Sequence, residues 1–340
     1  MLKSLIDYSA VHTKAAAMLA RHLSQQQYAE LAAKPTVADA CTYLKNNTVY
    51  ASLFKGYNER NLHRGDIERL LEGYMQSEIQ KIYHFSSLSV RKMLSYTVVR
   101  YEIELLKLAL RGVLTADFIP LPYDRESFFV SKLSFDIQRL AQAQTARDYL
   151  AALEGSAYHR VLSSALSQAH IDLFTCEMLL DNYYFKYAWK LKDKALSGKD
   201  REIVSESLGG EIDMLNLMWI YRCKKYYQLD SELIYSDIIP IYYKIPRQKL
   251  GALIRTADLN AYLRAVKQTP YDALFGDLDN RFIEQNYSDL VLRRSRRLVK
   301  KYPFSIASVI GYLHGLEVEI HNITTIIESI RYGTSAFYPI

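Results

Sequence analysis

Glu317-Val318-Glu319-Ile320-His321-Asn322-Ile323 has two earlier counterparts in the chain: Glu211-Ile212-Asp213-Met214-Leu215-Asn216-Leu217 and Glu102-Ile103-Glu104-Leu105-Leu106-Lys107-Leu108. In this alignment the leading glutamates Glu102, Glu211 and Glu317 lie 109 and 106 residues apart. Apolar residues around the segments recur at helical spacing. Val99, Ile103, Leu106, Leu110 and Val113 form one stripe, and Leu316, Ile320, Ile323, Ile327 and Ile330 another.

Two further marks keep the same order. A Tyr-Leu pair followed by a small or hydroxyl residue and a tyrosine occurs three times, as Tyr43-Leu44 with Tyr50, Tyr149-Leu150 with Tyr158, and Tyr262-Leu263 with Tyr271. The terminal tyrosines Tyr50, Tyr158 and Tyr271 are 108 and 113 residues apart. Asp117-Phe118-Ile119-Pro120-Leu121 and Asp237-Ile238-Ile239-Pro240-Ile241 open the second and third copies. Each mark alone is weak, but their recurrence at one interval argues for a triplicated unit of about 110 residues. The expected repeats are 1–116, 117–236 and 237–340. That period is too long for a stacked helical solenoid, so three bundles side by side are the more natural geometry.

The composition agrees with helices. Gly (13) and Pro (8) are scarce in 340 residues, which leaves long stretches without breakers. Alternating strand patterns are essentially absent, and Pro240 and Pro246 make the run from Ile238 to Ile245 an extended linker. The fold expected is all-α. Tyrosine is the outlier, with 28 residues against 12 Phe and 2 Trp, which suggests helix seams bordering water rather than one thick apolar core. Cys41, Cys176 and Cys223 form no C-x-x-C pair and read as free thiols. Lys3 and Asp7 interrupt any secretory leader, and no apolar run is long enough to span a membrane.

No phosphate-cradling glycine motif, nucleophile elbow or H-E-x-x-H helix is present. Gly209-Gly210 reads as a turn or a tight packing point. His314, Glu317 and His321 share a helix side at ligand spacing, but the other copies lack the histidines, so no metal or cofactor is expected. Triplication of Glu102, Glu211 and Glu317, like that of the tyrosines, favours a structural role at helix ends or between helices over acid–base chemistry. Arg293, Arg294, Arg296, Arg297, Lys300 and Lys301 make a cationic helix face opposite Tyr287, Val291, Leu298 and Tyr302. Such a face reads either as simply solvated or, with a net charge of +6, as a candidate interface for an acidic protein partner.

The triplicate pattern resembles the family of the V-type ATPase d subunit, known as the C subunit in archaeal and bacterial enzymes. The resemblance lies in the Tyr-Leu…Thr-Pro-Tyr element ending at Tyr271, the Ile-Pro linkers, and the acidic helices at Glu211–Leu217 and Glu317–Ile323. It runs along nearly the whole chain. The first copy departs from it, with Lys107 where the others have Asn216 and Asn322. The resemblance implies a funnel of three helical modules on the cytoplasmic face of a membrane, peripheral to it, seating the central stalk on the proteolipid rotor ring. It implies a non-catalytic monomer within a hetero-oligomeric complex, passing torque for proton or sodium transport. The alternative is a helical nucleic-acid-binding or scaffold protein using the basic face at 293–301; the flanks lack a recognised nucleic-acid module, so no nucleic acid is expected.

Overall fold

The computed structural model describes residues 2–59, 62–115, 120–121, 123, 127–227, 229–276 and 283–334. Among them the regular elements are all helical and no strand occurs. The first five are α1 (Leu2–Leu19), α2 (Gln25–Ala32), α3 (Val37–Asn47), α4 (Arg64–Phe85) and α5 (Leu88–Thr115). Then come three short helices, α6 (Ile137–Ala141), α7 (Ala146–Ala152) and α8 (Ala157–Leu166), and two long ones, α9 (Leu173–Ala195) and α10 (Gly198–Arg222). The pattern of short then long returns with α11 (Ser231–Asp237), α12 (Arg247–Ile254), α13 (Leu259–Val266), α14 (Ile283–Lys301) and α15 (Ala307–Tyr332). Of the Asp117–Leu121 mark, Asp117, Phe118 and Ile119 lie outside the described residues.

Short helices need marked starts, because so few hydrogen bonds propagate them. Thr36, Thr145 and Asp258 supply them for α3, α7 and α13, each side chain accepting the amide three residues on, from Asp39, Asp148 and Ala261. At the other end of the chain, Gly333 closes α15 with φ +62°, a left-handed geometry that glycine adopts without penalty.

The chain separates into two compact units. One comprises residues 1–88 with 284–340. Within it α1 and α4 pack on α15, and α2 and α3 lie against the C-terminal half of α15. Their core joins Leu31, Leu44, Tyr50 and Phe54 to Ile323, Ile326 and Ile327. The other unit comprises residues 89–283, in which α9 packs with α8, α10 and α11, and α10 with α13.

Both expected helical stripes face inward. Val99, Ile103, Leu106 and Leu110 are buried on α5, as are Leu316, Ile323 and Ile327 on α15. Gly209 and Gly210 lie in the middle of α10 rather than in a turn. A Cβ at Gly209 would stand 2.6 Å from the Tyr243 ring, so this glycine marks a close approach. The tyrosine expectation needs correcting. Tyr50, Tyr149, Tyr158, Tyr262, Tyr271 and Tyr312 rank among the largest fully buried side chains, so much of the tyrosine excess is core. Each of these hydroxyls has an acceptor within the protein, which is what permits its burial.

Candidate functional site

The three signature tyrosines each meet a buried carboxylate. Tyr158 Oη donates to Glu102 at 2.6 Å, Tyr271 to Asp213 at 2.9 Å, and Tyr50 to Glu319 at 2.6 Å. The pairing is offset by one place in chain order. The second tyrosine takes the first acid, the third takes the second, and the first takes the third from 269 residues downstream. Taken in chain order, the pairing of tyrosines with acids is therefore cyclic.

A carboxylate withdrawn from water costs several kcal/mol unless its lone pairs are filled. Backbone amides just ahead of a short helix add donors at each of the three acids. The Ser134 amide reaches Glu102 ahead of α6. Lys244 N donates to Asp213 at 2.7 Å, with Tyr243 and Ile245 N at 3.3 Å, ahead of α12. Leu23 N donates to Glu319 at 3.1 Å ahead of α2, and His22 Nδ1 lies 2.9 Å from the same carboxylate. Burial pushes the Asp213 carboxyl above the ordinary carboxylate range, against the pull of these amides and of Tyr271. The upstream tyrosines reinforce the joint in two copies. Tyr149 donates to the Leu106 carbonyl and Tyr262 to that of Leu217, each four residues beyond the acid, whereas Tyr43 turns to Glu30.

These contacts correct the sequence register. Asp213 and Glu319, not Glu211 and Glu317, occupy the place of Glu102. Glu211 accepts the hydroxyl of Ser207 on its own helix, and Glu317 is half-buried. The paired acids shift the first segment by two residues, so that Leu105, not Lys107, stands where the other copies carry Asn216 and Asn322. Asn216 clamps the Ile-Pro linker, exchanging both amide bonds with the Ile239 backbone at 2.8 and 3.0 Å. Lys107 instead pairs with Asp181 at 2.6 Å.

The cationic face lies on α14 as expected. Arg293, Arg296, Arg297, Lys300 and Lys301 are exposed, Arg294 is half-buried, and Val291, Leu292, Ser295 and Leu298 are buried on the other side. Arg293 meets Asp289 one turn back at 3.2 Å. Lys300 and Lys301 fall in the last turn, where cations complement the helix dipole. His314 is buried with its Nδ1 2.5 Å from Ser295 Oγ, while His321 is exposed, so the structure does not gather His314, Glu317 and His321 into one group. Among the described residues no set of three His, Cys, Asp or Glu side chains is placed to hold a metal ion.

Comparison with known proteins extends over almost the whole chain. Residues 11–336 match the family described as ATP synthase (C/AC39) subunit. The chain is 21% identical to the C subunit of the A-type ATP synthase of Methanosphaera stadtmanae, over 97% of its own length and 86% of the relative. It is 25% identical to the proteins of the same name from Thermococcus gammatolerans, covering 98% and 88%, and Pyrococcus abyssi, covering 96% and 87%.

Proposed function

The chain belongs to the ATP synthase (C/AC39) subunit family, and from that premise we propose that it is a non-catalytic adaptor of a rotary ATP synthase or ATPase. In this reading it seats the central stalk on the proteolipid ring and passes torque between them. The observation that carries the proposal is the family match across residues 11–336.

Physical features support it. A torque-bearing part needs stiffness, and long helices clamped by buried tyrosine–carboxylate pairs provide it. It also needs surfaces for partners, and the α14 cations offer one to an acidic protein. No described helix is long and apolar enough to cross a membrane; in the proposed role the chain meets the ring through protein contacts. We further infer three helical repeats, divided near residues 116 and 236.

The test is reconstitution with stalk and ring proteins, with and without this chain. Stalk and ring should associate, and ATP hydrolysis should drive ion transport, only when it is present. Robust ATP turnover by the isolated chain, or full coupling in its absence, would sink the reading.

A further inference from the structure

Residues 89–283 hold a cavity that the tyrosine–carboxylate pairs and the basic face do not involve. Its volume is about 180 Å³, and its walls include Phe174, Glu177 and Asp181 of α9, Trp219 of α10 and Asp237 at the end of α11. Cys223 and Tyr227 add to the wall from the two ends of a π-helical turn, Cys223–Tyr227, that prolongs α10. Such wide turns reposition side chains that a regular helix would carry past, and they recur at functional sites. Here the Tyr227 ring lies 5.6 Å from that of Phe174.

Size excludes most ligand classes. Pockets for cofactors and drug-sized molecules occupy roughly 300–1,000 Å³, so this one has room only for something like the end of a single side chain. Charge narrows the choice. Glu177 is held by Arg111 at 2.7 Å and Asp181 by Lys107 at 2.6 Å. Asp237 has no such cation among the described residues, and Ser236 Oγ meets it at 3.3 Å. Burial, with Asp172 nearby, pushes its carboxyl above the ordinary range, as expected of a carboxylate short of compensation. Aromatic faces beside a carboxylate that no ion pair engages among the described residues favour a flat cation. Arg222 also lines the cavity, and its like charge weighs about twice as heavily against a divalent metal ion as against a singly charged guanidinium. Two aromatics of the lining reach solvent, Phe174 37% exposed and Tyr227 57%. Exposed aromatics around a small cleft are the composition of a protein-binding hot spot.

We propose that this cavity is a socket for an arginine side chain of a partner polypeptide, the guanidinium lying on the aromatic wall with its charge answered by Asp237. The inference stands whether or not the adaptor reading does. Trp219 is a built-in reporter once the second tryptophan is removed by Trp189→Phe. N-acetyl-arginine amide, titrated into the full chain at constant ionic strength, should change Trp219 emission saturably. The neutral isostere N-acetyl-citrulline amide should bind about fivefold more weakly, the factor that about 1 kcal/mol of ion pairing gives. Asp237→Asn and Tyr227→Ala should each weaken the arginine response by a similar factor, while Glu202→Gln in the same unit leaves it unchanged. Equal responses to the two probes would overturn the proposal without any variant. So would undiminished arginine binding by folded Asp237→Asn, or no response up to about 100 mM of the arginine probe, beyond which affinity is negligible.

Discussion

At the scale of single residues, the buried carboxylates differ in how many donors they keep if the tyrosine hydroxyl is lost. Among the described residues Glu102 would retain one amide, Glu319 an amide and His22, and Asp213 three amides. Removing one partner of a buried polar group costs about 1–3 kcal/mol. Denaturant titrations should therefore rank Tyr158→Phe as most destabilising, then Tyr50→Phe, then Tyr271→Phe. An equal loss at all three would mean that packing, not donor count, sets the cost. Asp213 also gives a pH signature. Its carboxyl is raised in the folded chain, so between the ordinary carboxylate range and that raised value the folded state holds a proton the unfolded state lacks. This contribution to stability therefore grows as pH falls towards the ordinary range. Asp213→Asn cannot take up that proton, and it points an amide donor at the amides of Tyr243, Lys244 and Ile245. The deficit of the variant in thermal unfolding should exist at pH 7 and widen as the buffer is acidified.

At the scale of elements, two glycines in long helices should respond to alanine with opposite signs. Gly209→Ala drives a methyl into the Tyr243 ring, an overpacking worth about 1–3 kcal/mol, and disturbs the segment that feeds amides to Asp213. Gly73, exposed on α4 with open space around it, should gain about 0.5–1 kcal/mol from Ala because alanine is the better helix former. Paired melting curves would check both. Element type was legible in the sequence, since the stripes on α5 and α15 and the caps Thr36, Thr145 and Asp258 are local signals. The acid register was not. Each segment carries two acids two residues apart, and a period of two residues on a helix turns the side chain to another face. Only the partner identifies the buried one, and that partner sits in a different copy. Tyr149 and Tyr262 bond to carbonyls, an interaction with no residue-type signature. The cavity beside α9 was equally invisible, because it depends on a π-helical turn.

At the scale of the whole molecule, the basic face of α14 should serve association rather than folding. Arg293, Arg296 and Arg297 are exposed and suit a charge-reversal test better than Arg294, which is half-buried. Reversing those three to Glu should change unfolding stability by no more than about 0.5 kcal/mol per substitution, as for other surface changes. Yield of the assembled complex and its tolerance of salt should fall. Unchanged yield would take α14 off the interface. The bond from Tyr50 to Glu319 also imposes a timetable on synthesis. Tyr50 emerges from the ribosome far ahead of Glu319, and at roughly 5–20 residues per second the gap lasts tens of seconds. Throughout it Leu31, Leu44 and Phe54 lack the isoleucines of α15 that cover them in the finished protein. The first segment made is thus the last completed, and a nascent chain halted before residue 307 should present that segment to proteases and chaperones until the final helix is released.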